Sequence, residues 1–121
     1  METIWSQGDL SIKKIDELYC LYKNGKMIGR MTARIPSMVY EVQGKKWIYL
    51  GNDHHIKFVV VYVKIDAEHR QQGYCKLLQE QVLEYNNVGL WQTAFSVPFS
   101  ALGQKVYDSL GMNPDILYTA I

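Results

Sequence analysis

Cysteine is almost absent from this chain of 121 residues, with Cys20 and Cys75 the whole complement. Two thiols so far apart cannot build the disulfide framework of a small secreted domain, and neither stands in a Cys-x-x-Cys pair. An excess of one charge is missing too. The 13 basic and 12 acidic residues leave a net charge of +1, which gives no general attraction to nucleic acid or to an anionic membrane. Any anion site must therefore be local. No apolar run approaches the ~20 residues of a membrane span, and no N-terminal segment joins basic residues to an apolar stretch with a cleavage site. A cytoplasmic protein is expected. Repeats, linkers and low-complexity tracts are lacking as well, so residues 1–121 are expected to form one domain. An apolar content of 48% with 21% charged residues is that of a soluble globular protein.

What is present begins with turn signals. Thr3-Ile4-Trp5 is compatible with a short strand, and Ile12, Ile15 and Leu18 with an amphipathic helix capped by Asp9 or Ser11. Leu18 to Tyr22 and Met27 to Arg34 flank Asn24-Gly25, the strongest short hairpin signal. A second hairpin is expected from Met38 to Val42 and Trp47 to Leu50, followed by a polar turn over Gly51 to His55. Phe58-Val59-Val60-Val61-Tyr62-Val63 is too short for a helix and too apolar for a half-exposed strand, and reads as a central strand. Tyr74, Leu78, Val82 and Tyr85 recur at helical spacing, with Gln79, Glu80 and Glu84 assigned to the other face. Asn86-Asn87 ends that helix, Gly89 to Ser96 is the next strand, and Pro98 opens a second helix with Phe99, Leu102, Val106 and Leu110 as its apolar stripe. Gly111 caps it, and Asp115 to Ile121 closes the chain as a strand. Hairpins followed by strand, helix, strand, helix, strand make a mixed α/β (α+β) fold with helices packed on a sheet.

The most informative segment joins the central strand to the first helix. Glu68 to Gly73 places a basic, glycine-containing turn at a helix N-terminus, where unpaired N–H groups and the helix dipole attract an anion. Arg70 adds charge-assisted donors, and a glycine lets the backbone approach closely. A Walker loop would need lysine and then serine or threonine after its last glycine, but Tyr74-Cys75-Lys76 follows Gly73. A dinucleotide fingerprint would need three glycines and a later acid. Read from residues alone, Arg70 and Gly73 fit either an anion grip or a plain strand-to-helix turn. Cys75 reads first as a small packing residue, although a helix N-terminus would favour its thiolate.

The spacing Arg70-x-x-Gly73-x-Cys75 resembles the acyl-CoA diphosphate loop of the GCN5-related N-acetyltransferase family. Ile65-Asp66-Ala67-Glu68-His69 is similar to the lead-in of that loop, with Ala67 where proline is usual. A second block, Ser100-x-x-Gly103-x-x-x-Tyr107-x-x-x-Gly111-Met112, resembles the family's downstream block at the same spacing, and together the two cover roughly the C-terminal half. The resemblance implies a mainly antiparallel mixed sheet with a splayed central strand pair, acetyl-CoA as cosubstrate, and acetyl transfer to a primary amine by direct attack. It also implies roles. Val63 and Ile65 offer backbone groups to pantetheine, and the amides of Gln71, Gln72, Gly73 and Cys75, beside Tyr74, meet the diphosphate with Arg70. Ser100 stands where an asparagine usually contacts the cofactor arm, and Tyr107 at the general-acid position. A base is sought at Asp53 or His55, just before the central strand, since histidine titrates near neutrality. With no third ligand near the two histidines, no metal site is expected.

The resemblance thins at both ends. The family places two helices between its first two strands, whereas only about 17 residues precede the first clear strand here. The acceptor groove is then shorter, supplied by residues 36–55, or completed by another subunit. Members have two strands where this chain has one after Gly111, which would leave an edge for a homodimer. Three functions stay open: an N-acetyltransferase acting on a protein lysine, N-terminus or small molecule; a CoA-binding or interaction module without turnover; and a partner-binding domain using the hairpin around Trp47, Ile48 and Tyr49.

Overall fold

The architecture is that of a computed structural model, which describes residues 1–43, 45–52, 54–95 and 117–120. Its N-terminal half is a meander whose turns follow from local chemistry. Strands β3 (Leu18–Lys23) and β4 (Lys26–Arg34) meet at Asn24-Gly25. Both turn residues have positive φ, 52° and 79°, as a two-residue type I′ hairpin requires. The segment expected as a helix is instead strand β2 (Leu10–Ile15), paired antiparallel with β1 (Glu2–Gln7) on one edge and β3 on the other. The spacing of Ile12, Ile15 and Leu18 suits a helix, yet Ile12 is fully buried and Ile15 is 47% exposed. Asp16, at φ 51°, turns the chain between Ile15 and Leu18, and six strand residues are too few to stand alone as a helix.

The central strand β7 (Phe58–Ile65) pairs antiparallel with β4 and parallel with the short β8 (Thr93–Phe95). The second expected hairpin forms as β5 (Val39–Gln43) and β6 (Lys46–Tyr49) and lies on the far side of the sheet. The closing strand β9 (Leu117–Ala120) sits between β8 and β5. The strand order is β1-β2-β3-β4-β7-β8-β9-β5-β6, a mainly antiparallel mixed sheet. The edge expected to remain on the closing strand is therefore taken by β5, and the described sheet ends at β1 and β6. Gly89 to Ser96 is also not a continuous strand. Leu90–Gln92 forms a 3₁₀ turn, held by Gly89 N–H on Gln92 Oε1 at 3.1 Å and Thr93 Oγ1 on the Gly89 carbonyl at 3.1 Å.

Helix α1 (Tyr74–Tyr85) packs on one face of the sheet. Leu78 and Val82 are fully buried against Ile12, Leu21, Ile28 and Met31, each such side chain worth about 1.5–3 kcal/mol of transfer from water. Two positions depart from the expected faces. Gln79 is 2% exposed and donates to Cys75 Sγ at 3.3 Å, while Tyr85 is 43% exposed and donates to Glu2 Oε1 at 3.2 Å. The helix stops as expected at Asn86-Asn87. Val88 N–H reaches the Leu83 carbonyl at 3.0 Å and Asn87 N–H the Glu84 carbonyl at 3.0 Å, with Asn87 at φ 54°, the Schellman arrangement. A smaller core of Val39, Ile56, Val59 and Ala94 occupies the opposite face. The expected second helix from Pro98, with Phe99, Leu102, Val106 and Leu110, lies outside the described residues.

Candidate active site

The site is built from an irregularity in β7. Thr32 pairs with Tyr62 and Ala33 with Val60, so β7 carries one extra residue, Val61, in its ladder with β4. Such a bulge reverses which side chains face which side and sharpens the twist. Before it, Phe58 and Val60 face α1; after it, Val63 and Ile65 do. Registered pairing with β8 stops at Val60 opposite Phe95. The two parallel strands therefore share three registered pairs and, among the described residues, no more.

Backbone polarity past the bulge follows from one bond. Asp66 N–H donates to the Ile28 carbonyl at 2.8 Å, and antiparallel partners alternate between bonded and non-bonded pairs. Lys64 and Tyr62 then bond toward β4, while Val63 and Ile65 turn their N–H and C=O groups to the opposite edge, past the last described residue of β8. Ile65 is supported from behind by Gly29, where a Cβ would come within 2.5 Å of Ile65 Cδ1 and 3.2 Å of the Lys64 carbonyl. Its own carbonyl accepts from Arg70 Nε at 2.9 Å. That tether uses one of the five N–H donors of the guanidinium.

Between β7 and α1 the chain makes a 3₁₀ turn, Ala67–His69, that internally bonds the amides of His69 and Arg70. Gln71 (φ 61°) and Gly73 (φ 82°) then take left-handed conformations on either side of Gln72. No side chain caps α1. Among the described residues, the N–H groups of Gln71, Gln72, Gly73, Tyr74, Cys75 and Lys76 have no hydrogen-bond partner. Clustered N–H groups at the positive end of a helix form an anion site.

Two features of this corner stand out in the structure, the first of them not read from the sequence. Lys23, at the tip of the β3–β4 hairpin, places Nζ 3.0 Å from Tyr74 Oη and 5.6 Å from that ring's centroid. The hydrogen bond to Tyr74 raises the lysine's pKa and holds an ammonium beside the first residue of α1. The hairpin signal was visible, but its convergence on a residue 51 positions away was not. Cys75 is the other. Burial pushes its thiol pKa up and the Gln79 hydrogen bond only partly offsets this, so the thiol stays protonated and its packing role is favoured.

His55 is not brought to this corner. It lies before the start of β7, with its ring stacked on Trp91 at 5.6 Å. About 25 Å of strand separates it from the loop at ~3.3 Å per residue. Asp53, Ser100 and Tyr107 lie outside the described residues. Trp47, Ile48 and Tyr49 of edge strand β6 are all exposed.

No protein-family model matches this sequence, and no curated protein does. Solved structures do match. The xEco2 acetyltransferase domain bound to a CoA conjugate is 12% identical, with a TM-score of 0.74 over 100% of this chain and 99% of that one. A mutant of the AtaT toxin, bound to the C-terminus of the antitoxin AtaR and acetyl-CoA, is 14% identical at a TM-score of 0.51, over 92% of this chain and 68% of that one. Arabidopsis thaliana Naa50 with the bisubstrate analogue CoA-Ac-MVNAL is 13% identical at a TM-score of 0.50, over 86% of this chain and 72% of that one. The chain has the acetyltransferase fold, as the loop between β7 and α1 implied.

Proposed function

We propose that this protein is an acetyl-CoA-dependent N-acetyltransferase that moves an acetyl group to a primary amine. One observation carries the proposal: the edge of β7 at Val63 and Ile65, unpaired by β8 among the described residues, runs straight into the N–H groups of Gln71 to Lys76, which have no partner among those residues. An extended pantetheine fits the former as an added strand, and a diphosphate the latter. Arg70 and Lys23 supply charge on either side. Structural neighbours bound to CoA conjugates or acetyl-CoA support the same cosubstrate.

Acetyl-CoA brings an activated acyl group, so no covalent enzyme intermediate is required. The amine nitrogen bonds to the thioester carbon, the C–S bond breaks, and the sulfur leaves as a thiolate needing one proton. We assign that proton to Tyr107, with Ser100 beside the cofactor arm. We assign the acyl end to Val61, just past the last described pair of β7 with β8. His55 stands six residues earlier, at most about 20 Å along the chain, with its ring stacked on Trp91. We therefore assign deprotonation of the amine, whose pKa is near ~10.4 for a lysine, to solvent.

Calorimetry with acetyl-CoA comes first: no binding at millimolar cosubstrate ends the proposal. A thiol-release assay over a panel of amines follows, in which Tyr107→Phe lowers the maximal rate much more than cosubstrate affinity. Unchanged turnover removes the acid assignment. His55→Gln leaves the pH profile of kcat/KM unaltered, and a flattened profile would restore His55 as base. The exposed Trp47, Ile48 and Tyr49 favour a second reading, a partner-binding module, which the calorimetry separates from the first.

A further inference from the structure

The net charge of +1 conceals a segregation. Strands β2, β3, β4 and β7 hold seven of the chain's 13 basic residues, namely Lys13, Lys14, Lys23, Lys26, Arg30, Arg34 and Lys64, and none of its 12 acidic ones. Pairing aligns part of this set. Lys13 is opposite Cys20, Cys20 opposite Arg30, and Arg30 opposite Lys64. Residues directly opposite share a face, so these four side chains form one row across the sheet, on the side away from α1. Thr32 and Arg34 continue along β4 on that face, and Tyr62 along β7.

Cys20 is buried within the row and Lys13 half-buried, while its other charged members reach solvent; none of them forms a salt bridge among the described residues, and Asp66 is the one acid that shares their cleft. Arg30 and Lys64 are exposed and Tyr62 is 45% exposed, and the one salt bridge among the described residues, Lys76 with Glu80, lies on α1. Like charges placed directly opposite cost stability. Aromatic rings take part of the load: Arg30 lies 5.8 Å from the Tyr62 centroid and Lys13 5.0 Å from that of Tyr22. A cleft of about 100 Å³, lined by Met27, Gly29, Arg30, Lys64 and Asp66, opens at the end of the row. At ~4.8 Å between strands, Lys13 and Lys64 stand about 14 Å apart. An extended peptide presents same-side carboxylates every ~7 Å, so two of them four residues apart span the distance between Lys13 and Lys64. Tyr62, next to the bulge, links the face to the acyl end of β7.

We propose that this face seats an acidic polypeptide, and that the amine acceptor is carried on it; the second clause rests on the acetyltransferase reading. A nucleic acid is disfavoured because phosphate-gripping proteins commonly neutralise about 6–10 phosphates, more than this row can.

The test uses the full chain and two fluorescein-labelled peptides with one central lysine, one flanked by alternating Glu-Ala and one by Gln-Ala. By anisotropy at low salt the Glu peptide binds on the order of tenfold tighter, the gain fading toward ~0.2 M salt. Arg30→Gln/Lys64→Gln abolishes the gain while acetyl-CoA affinity stays unchanged. Lys13→Gln, at the other end of the row, lowers it partly, which guards against misfolding of the double variant. Equal binding of the two peptides, a preference that survives the double variant, or tighter binding of an oligo-dT of equal charge overturns the proposal. Calorimetry with acetyl-CoA on the same sample separates the two ideas. A Glu preference without acetyl-CoA binding removes acetyl transfer and leaves the docking face, whereas acetyl-CoA binding without the preference removes the docking face alone.

Discussion

Gly73 distinguishes a turn from a binding site, because its two possible duties respond differently to the same pair of substitutions. Its φ is 82°, and a Cβ built on it meets nothing within 4 Å. Any cost of Gly73→Ala to the unliganded fold is therefore backbone strain rather than collision. A Cβ-bearing residue pays about 1–2 kcal/mol in the left-handed region, of which about 0.4–1 kcal/mol returns through the stiffer unfolded chain. The net loss is about 1 kcal/mol. With unfolding entropy near ~2.1 cal/mol/K per residue, a chain of 121 residues then loses about 4 °C in Tm. Asparagine tolerates this region, as Asn24 and Asn87 do here at φ 52° and 54°, so Gly73→Asn recovers most of the stability. Affinity for acetyl-CoA follows another rule. If phosphate oxygens approach the N–H groups around Gly73, any Cβ intrudes, and loss of one charge-assisted hydrogen bond at about 1.5–3 kcal/mol weakens binding roughly 10- to 100-fold in both variants. Thermal melts and calorimetry read the two quantities separately. Should Gly73→Asn restore both, Gly73 serves only the turn and the anion site lies elsewhere.

Other outcomes follow from the same corner. Arg70→Ala raises the acetyl-CoA KM about tenfold or more with kcat nearly kept, since it removes both a charge and the bond to Ile65; a KM within twofold of wild type would refute this. Lys23→Met has a smaller effect in the same direction, measured by calorimetry, because its ammonium is exposed and screened. Burial raises Cys75 above its ordinary 9.0, so the native state keeps a proton that the unfolded thiol gives up. Its contribution is complete below pH 9.0 and is lost as pH climbs through the higher native value. The difference in Tm between wild type and Cys75→Ala should be constant from pH 6 to about 8 and shrink above ~9.

Local chemistry explains which elements were legible. Asn24-Gly25 announces its hairpin because few other residues adopt that turn, and the apolar run from Phe58 announces a central strand, although only Phe58 to Val60 are buried on both faces and Tyr62 is exposed. Asn86-Asn87 stops α1 where expected. The misread elements depend on distant partners. Ile12, Ile15 and Leu18 carry a spacing that a helix would use, and only pairing to β1 and β3 makes them strands. Gln79 looks like a surface residue until Cys75 supplies an acceptor for its amide. In the site, the Arg70 to Gly73 loop is contiguous and could be read as a whole. Lys23 could not, since nothing near it in sequence points to Tyr74. The placement of β9 between β8 and β5 likewise depends on chain ends more than 70 residues apart, and that contact removed the free edge on which dimerisation had been argued.

The bulge at Val61 has a bearing on how such a site persists while side chains change. The register of β7 against β4 depends on how many residues β7 inserts between its pairings, one at Val61, and that number is an integer. Substitutions that swap one apolar side chain for another alter packing by degrees, but they cannot turn one surplus residue into a fraction of one. Only an insertion or deletion can change that count, and loss of Val61 would restore strict alternation while Val63 and Ile65 kept their places opposite Met31 and Gly29. Geometry held by counting is insulated from gradual drift, which is consistent with a shared fold at 12% identity.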